Sequence, residues 1–259
     1  SDIYNDTEPL VGGSSSSTGT SSPSTIVKTE ERAYPPTGKR DFVPTSGSDL
    51  SYTKNINSVY GSGDYTVSVS SYDPEYPQYN PIECFNEGDD IAGIWLVDNY
   101  TDMVYSGTFN NNSGKLSSLG YEGDWIQIKL PVKIQLTKTK IKQRSAFLPE
   151  RSPGDFKIFG SNDETTWVEL VSKTLVLSDY VSFNYETTDI LDNTNTYQYF
   201  ILIVNKTLST SPVMNFDEWY IYGKEHSVVN TTNMLVWYKF DDATNIGLDS
   251  SGNSNDGTG

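Results

Sequence analysis

Residues 121–167 are YEGDWIQIKLPVKIQLTKTKIKQRSAFLPERSPGDFKIFGSNDETTW, and they hold three runs in which apolar and polar side chains alternate. The runs cover 125–130, 134–142 and 156–159. The residues around them include the Gly, Pro, Asn and Asp that favour turns. Because successive side chains of a strand point to opposite faces, this alternation predicts strands with one face in a core and the other in water.

Four features follow one another in this segment: a Trp-led strand, a strand ending in Arg, an Arg-x-Pro turn, and a strand closing in Gly-Ser-Asn-Asp with a Trp after it. They are Trp125, Arg144, Arg151-Ser152-Pro153 and Gly160-Ser161-Asn162-Asp163-Glu164-Thr165-Thr166-Trp167. This order resembles the discoidin family, also called the coagulation factor 5/8 type C domain, which is a galactose-binding-like β-sandwich. Glu164 stands where the family usually has Gly, so we expect that turn to be built differently.

The resemblance extends over residues 34–224. Residues 83–89 resemble the family's Phe-Asp-Gly-Asp turn, and residues 216–223 resemble its closing strand. Residues 180–185 alternate and predict a further strand. We therefore predict an all-β fold: a discoidin-like β-sandwich of the jelly-roll type with an extended N-terminal arm.

Three segments flank the predicted sandwich. Residues 1–33 form an arm rich in Ser, Gly and Thr, whose small apolar content predicts a flexible segment. Residues 225–233 are a polar linker. Residues 234–259 resemble the start of a concanavalin-like or laminin-G-like jelly-roll and are too few to close one, so we expect the natural chain to continue.

Composition limits the function. The 259 residues carry a formal net charge of -16, which disfavours binding to nucleic acid or to an anionic membrane. The single cysteine, Cys84, excludes a disulfide framework. The single histidine, His226, falls in the predicted linker, and paired acids such as Asp89-Asp90 are adjacent and would point to opposite faces of a strand. We therefore predict a protein that is not an enzyme.

The resemblance implies one structural Ca²⁺, because many discoidin-like domains hold one with oxygen ligands from the Phe-Asp-Gly turn and the closing strand. The matching positions are Asn86, Asp89 and Glu218. Asn86 carries no charge where the family has Asp, and the additional Glu87 shifts the spacing. An ordinary acidic turn beside a strand end is the alternative.

The resemblance also implies sugar binding by loops at one end of the sandwich. There an aromatic ring stacks on the apolar face of a pyranose while Arg or Asn bonds its hydroxyl groups. The candidates are Trp95, Tyr100, Tyr105, Asn111, Asn112 and Arg144. Core packing is the alternative for Trp95, and pairing with surface acids is the alternative for Arg144.

Two tandem β-sandwich modules without a catalytic set resemble surface and minor capsid proteins of large algal DNA viruses. On this basis we expect a structural component of a virion, with other capsid or surface proteins as partners and host glycans as candidate ligands. The alternatives are a carbohydrate-binding adhesion module of a secreted protein and an accessory domain of a glycoside hydrolase. The expected location is a virion surface or the extracellular space.

Overall fold

The computed structural model describes residues 24–28, 30–38, 51–71, 81–85, 95–107, 120–144, 149–208 and 210–230. Their regular structure consists of strands and short 3₁₀ turns at Pro81–Phe85, Pro149–Arg151 and Leu177–Asp179, so the predicted all-β class is confirmed. The strands are β1 (Ser24–Lys28), β2 (Arg32–Tyr34), β3 (Ser51–Ile56), β4 (Gly63–Val69), β5 (Trp95–Asp98), β6 (Tyr100–Thr101), β7 (Val104–Tyr105), β8 (Asp124–Lys142), β9 (Pro153–Ser161), β10 (Trp167–Thr174), β11 (Asn184–Thr187), β12 (Tyr197–Thr207), β13 (Val213–Phe216) and β14 (Glu218–Asn230). In this part of the chain no helix has the length and hydropathy needed to cross a membrane.

Contacts divide the chain into two units, residues 30–225 and residues 1–29 with 226–259. In the second unit, β1 pairs antiparallel with the end of β14, from Ser24 opposite Asn230 to Lys28 opposite His226. Strands therefore lie inside the segments predicted as an arm and a linker, and His226 is a strand residue. Residues 1–23 and 231–259, which include the predicted jelly-roll start, lie outside the described residues.

In the first unit, β8 is the central strand, and it joins two of the predicted runs. Its residues 124–129 pair with β4 and β12, whereas its residues 134–142 pair with β11 and β14, and Ile134 also pairs with Tyr197 of β12. Pro131 lies at the change of partners, where its missing N–H costs no ladder hydrogen bond. The two halves of β8 thus organise two groups of strands, β3–β4–β8–β12–β9–β10 and β2–β14–β8–β11.

The two ends of β8 lie at the same end of the sandwich. Asp217 N donates to Lys142 O at 2.8 Å, and the preceding residue, the last of β13, pairs with the first residue of β5. Asn99, which directly follows β5, donates to Asp124 at the start of β8. The four residues of β5 span at most about 14 Å, whereas a straight 19-residue strand would be about 60 Å long. The strand therefore doubles back.

The core lies between the two groups of strands. Alternate residues of β4, β8 and β12 point into it, as the period-two pattern predicts. Trp219 is fully buried, its Nε1 donates to Thr139 Oγ1 at 2.9 Å, and its ring packs against Phe85 with centroids 5.9 Å apart. Burial of such large side chains contributes about 1.5–3 kcal/mol each.

The opposite face of β8 and β12 differs from the prediction, because it is not turned to water. Trp125, Ile201 and Ile203 lie there in a second buried cluster, against which Trp167 packs. The turn before Trp167 also binds this face, since Gln127 Nε2 donates to Glu164 Oε1 at 2.6 Å.

The turn at 161–166 has a left-handed backbone at Glu164, where the family usually has Gly. Glu164 adopts φ 58°, and the expected difference from the family's turn stays a prediction. Asp163 Oδ1 accepts the backbone N–H groups of Thr165 and Thr166 at 2.9 and 2.7 Å. These bonds hold the pKa of the Asp163 carboxyl well below its usual value.

Candidate functional site

We call the end of the sandwich where both ends of β8 meet the loop end. It contains Ser71 after β4, Asn99 after β5, Asp124 and Arg144 at the two ends of β8, and Glu218 at the start of β14. Segments 72–80, 86–94, 108–119 and 145–148 lie outside the described residues. The sequence-predicted residues that the structure describes therefore share one end.

Tyr100 is a buried residue of this end. Its side chain is 3% exposed, and its hydroxyl donates to Val204 O at 2.8 Å. Burial, followed by the charge of Asp124, raises the pKa of this hydroxyl well above its usual value. The ring of Tyr105 packs edge-on at a centroid distance of 5.9 Å and is half-buried. In this arrangement Tyr100 supports the loop end, and Tyr105 is the more exposed of the two rings.

The structure describes the other predicted sugar-binding residues to different extents. Trp95 pairs through its backbone with Phe216, and its side chain lies outside the described atoms. Asn111 and Asn112 lie outside the described residues. Arg144 is half-buried and directly follows the buried Gln143 at the end of β8.

An ion pair lies at the last residue of β8. Lys142 Nζ lies 2.9 Å from Asp217 Oδ2, and the two side chains are 14% and 3% exposed. Because the backbone N–H of Asp217 also donates to Lys142 O, the two residues are fixed to each other. Arg144 follows Lys142 by two residues, just beyond the end of β8.

A buried polar cluster, which the sequence analysis missed, lies at the start of β8. Asp124 Oδ1 accepts hydrogen bonds from Ser70 Oγ at 2.7 Å, Ser71 Oγ at 2.8 Å and Asn99 Nδ2 at 2.9 Å. Burial raises the pKa of the Asp124 carboxyl, and these donors oppose the rise. The consecutive serines directly after a predicted strand were the signal that could have shown it.

Glu218 is the described member of the predicted calcium set. Its side chain is fully buried at the start of β14, opposite Lys142 in the ladder. A buried carboxylate suits a hard cation, which takes oxygen ligands. Asn86 and Asp89 lie outside the described residues, and the described residues alone contain no cluster of three His, Cys, Asp or Glu side chains. The calcium site stays a prediction.

Neither a protein-family model nor a curated protein matches this chain. Solved structures do. One is the family 32 carbohydrate-binding module of Clostridium perfringens NanJ in complex with galactose, at 10% identity and a TM-score of 0.42, covering 61% of this chain and 93% of that one. Another is an F5/8 type C domain from Bacteroides fragilis, at 15% identity and a TM-score of 0.43, covering 67% and 97%. A fucose-binding module from Streptococcus pneumoniae matches at 10% identity and a TM-score of 0.40, covering 61% and 89%.

The chain resembles carbohydrate-binding modules of family 32 and F5/8 type C domains. They include F5/8 type C domains, the family that the sequence resembles. At 10–15% identity the likeness concerns the fold alone.

Proposed function

We propose that this protein is a non-catalytic carbohydrate-binding module that binds a glycan at the loop end. The observation that carries the proposal is the return of β8, which brings Arg144 to the same end of the sandwich as Tyr100 and Tyr105. A guanidinium group with several donors at the same end as aromatic side chains suits the hydroxyl groups and the apolar faces of a sugar.

The acidic groups of the loop end support a binding role over a catalytic one. Asp124 accepts three side-chain donors in the interior, and Asp217 is held in the ion pair with Lys142. General acid–base catalysis needs a group that can reach the substrate and exchange its proton. Both carboxylates instead join the ends of described strands to one another.

The virion role stays a prediction. It depends on residues 1–33 and 234–259, of which only 24–28 and 30–33 are described. Glycan binding rests on described residues at the loop end, so we favour the carbohydrate-binding alternative over the capsid role.

The test is a glycan array, followed by titration of the glycan that gives the strongest signal. Arg144→Gln keeps much of the side-chain volume and removes the charge. We expect it to weaken binding about tenfold or more, because a hydrogen bond from a charged donor contributes about 1.5–3 kcal/mol. Lys133→Gln is the matched control, since Lys133 is exposed beside Pro131, where β8 turns at the far end.

The control variant should bind within twofold of the wild type, and both variants should keep the wild-type melting temperature. Binding of no glycan by the wild type would refute the proposed function. Equal losses in both variants would show that general charge, and not the loop end, governs binding.

A further inference from the structure

Phe183 differs from every other aromatic side chain that the structure describes. It is 45% exposed, whereas the described Trp, Tyr and remaining Phe side chains are buried or half-buried. One exposed apolar side chain is ordinary on a protein surface. The backbone around Phe183 is what sets it apart.

Phe183 lies in a tight turn with a left-handed backbone. Ser182 and Phe183 have φ of 49° and 63°, and Val181 and Asn184 exchange both backbone hydrogen bonds, at 2.8 and 3.0 Å. Two central residues with positive φ are typical of a type I′ turn, which prefers Asn-Gly. A bulky residue at positive φ is uncommon, and such strain is concentrated at functional sites.

The turn is fixed to the loop end. Gln143 N donates to Phe183 O at 2.7 Å, and Asn184 Nδ2 donates to Ser182 O at 2.7 Å. Asn184 also pairs with Lys142 in the ladder between β11 and β8. Arg144 follows Gln143 directly, so the exposed aromatic residue lies on a hydrogen-bonded turn whose backbone contacts the residue before Arg144. A binding group fixed in advance loses little entropy when the ligand binds.

We propose that Phe183 is the platform on which a neutral pyranose stacks, with Arg144 binding its hydroxyl groups. This inference rests on the proposed function and names the contact residue and ligand class of the same site. A pyranose offers an apolar C–H face to the ring and a polar rim to the guanidinium group.

Charge favours a neutral ligand. The chain carries a net charge of -16, Lys142 is paired with Asp217, and Asp179 and Glu186 flank the turn in sequence as exposed acids, Glu186 lying 3.9 Å from Lys138. Arg144 is a single cation at this site, and the net negative charge of the chain disfavours an anionic sugar or an anionic lipid surface. A neutral pyranose meets no such penalty.

The experiment compares three variants of the whole chain by titration with the neutral glycan that gives the strongest wild-type signal on the array. Phe183→Gly removes the ring and relieves the left-handed backbone, so it should fold with an equal or higher melting temperature. Phe183→Tyr keeps a ring. Val181→Ser changes the other exposed apolar side chain of the turn, which is 72% exposed.

We expect Phe183→Gly to bind about tenfold more weakly, while Phe183→Tyr and Val181→Ser stay within about threefold of the wild type. Wild-type affinity in Phe183→Gly would overturn the platform alone, and the proposed function would stand. Equal loss in Val181→Ser would also overturn it, as would ring-dependent binding to phosphatidylcholine–phosphatidylserine vesicles in place of the glycan. Absence of any glycan binding by the wild type would refute the proposed function and the platform together.

Discussion

Asn99 Nδ2 lies 2.9 Å from both carboxylate oxygens of Asp124, inside the loop end. Ser70 and Ser71 donate to the same carboxylate, and Ser70 Oγ in turn accepts the backbone N–H of the next residue of β8. The cluster therefore joins the end of β4, the end of β5 and the start of β8. The cluster holds the start of β8 at the end of the sandwich where β8 also finishes.

We predict that Asp124→Ala lowers the free energy of unfolding by about 3 kcal/mol. The change leaves buried donors of Ser70, Ser71 and Asn99 without their acceptor, and unsatisfied buried polar groups are costly. Denaturant unfolding measures the difference. Asp98→Ala is the control, because Asp98 is exposed beside the cluster and should change stability by at most about 0.5 kcal/mol. Equal effects of the two changes would contradict a role for the cluster.

The Asp124 carboxyl should also make the free energy of unfolding depend on pH. Burial raises the pKa of Asp124, so the folded state binds its proton more tightly than the unfolded state does. Its contribution to stability is then fully present below the unfolded pKa and is lost as pH rises through the folded pKa. We expect the stability of the wild type relative to Asp124→Asn to be greatest at and below about pH 4, which is the approximate pKa of an Asp carboxyl in the unfolded chain. The relative stability should be smaller at neutral pH. A relative stability that increases with pH, measured by denaturant unfolding across this range, would contradict the prediction.

Close packing at Gly123 leads to a third prediction. A Cβ there would lie 2.2 Å from Val204 O, which belongs to the backbone of the neighbouring strand and cannot rotate away. Gly123→Ala should therefore destabilise the fold by about 3 kcal/mol. Gly120 has φ 62° but open space around it, so Gly120→Ala should cost only about 1 kcal/mol for its backbone conformation. Thermal unfolding ranks the two, and the reverse order would show that the contact at Gly123 relaxes.

Local patterns predicted the strands well, because period-two alternation is a property of the strand itself. The pattern at 125–130 and 134–142 identified both halves of β8. It could not show that they form one strand that doubles back, since the change of partners at Pro131 is set by pairing with distant residues. The outer cluster around Trp125 was missed for the same reason.

The site was less predictable than the fold. Arg144 could be named from its motif, whereas the burial of Tyr100 depends on long-range packing against β12. Residues 180–185 alternate, and the prediction of a strand there holds only for 184–185, because a turn occupies Val181 to Asn184 and β11 begins at Asn184. That turn contains no Gly, so no local signal indicated that Phe183 would be exposed on it.

The predicted calcium site gives a test by stability. A ligand that binds only the folded state raises its melting temperature as the ligand concentration rises. We expect Ca²⁺ to raise the melting temperature of the wild type and to have no effect on Glu218→Gln, because the buried Glu218 supplies an oxygen ligand in the predicted set. Glu186→Gln, which changes an exposed acid, should respond as the wild type does. An equal response in Glu218→Gln would place any ion elsewhere.

The ion pair between Lys142 and Asp217 should contribute far more than the exposed pairs of this protein. Lys142→Met removes the ammonium group that lies 2.9 Å from a carboxylate whose side chain is 3% exposed, and we expect a loss of about 3 kcal/mol. The pair of Lys173 and Asp189 is as short, at 2.7 Å, but Asp189 is 73% exposed, so Lys173→Met should cost at most about 1 kcal/mol.

The double variant Lys142→Met with Asp217→Asn separates the charge effect from packing. If the loss in Lys142→Met comes from burying the Asp217 charge away from its cation, removing that charge should restore at least half of the lost stability. Urea unfolding of the single and double variants measures the coupling. Additive losses would show that Lys142 acts through the packing of its aliphatic stem and not through the charge of Asp217.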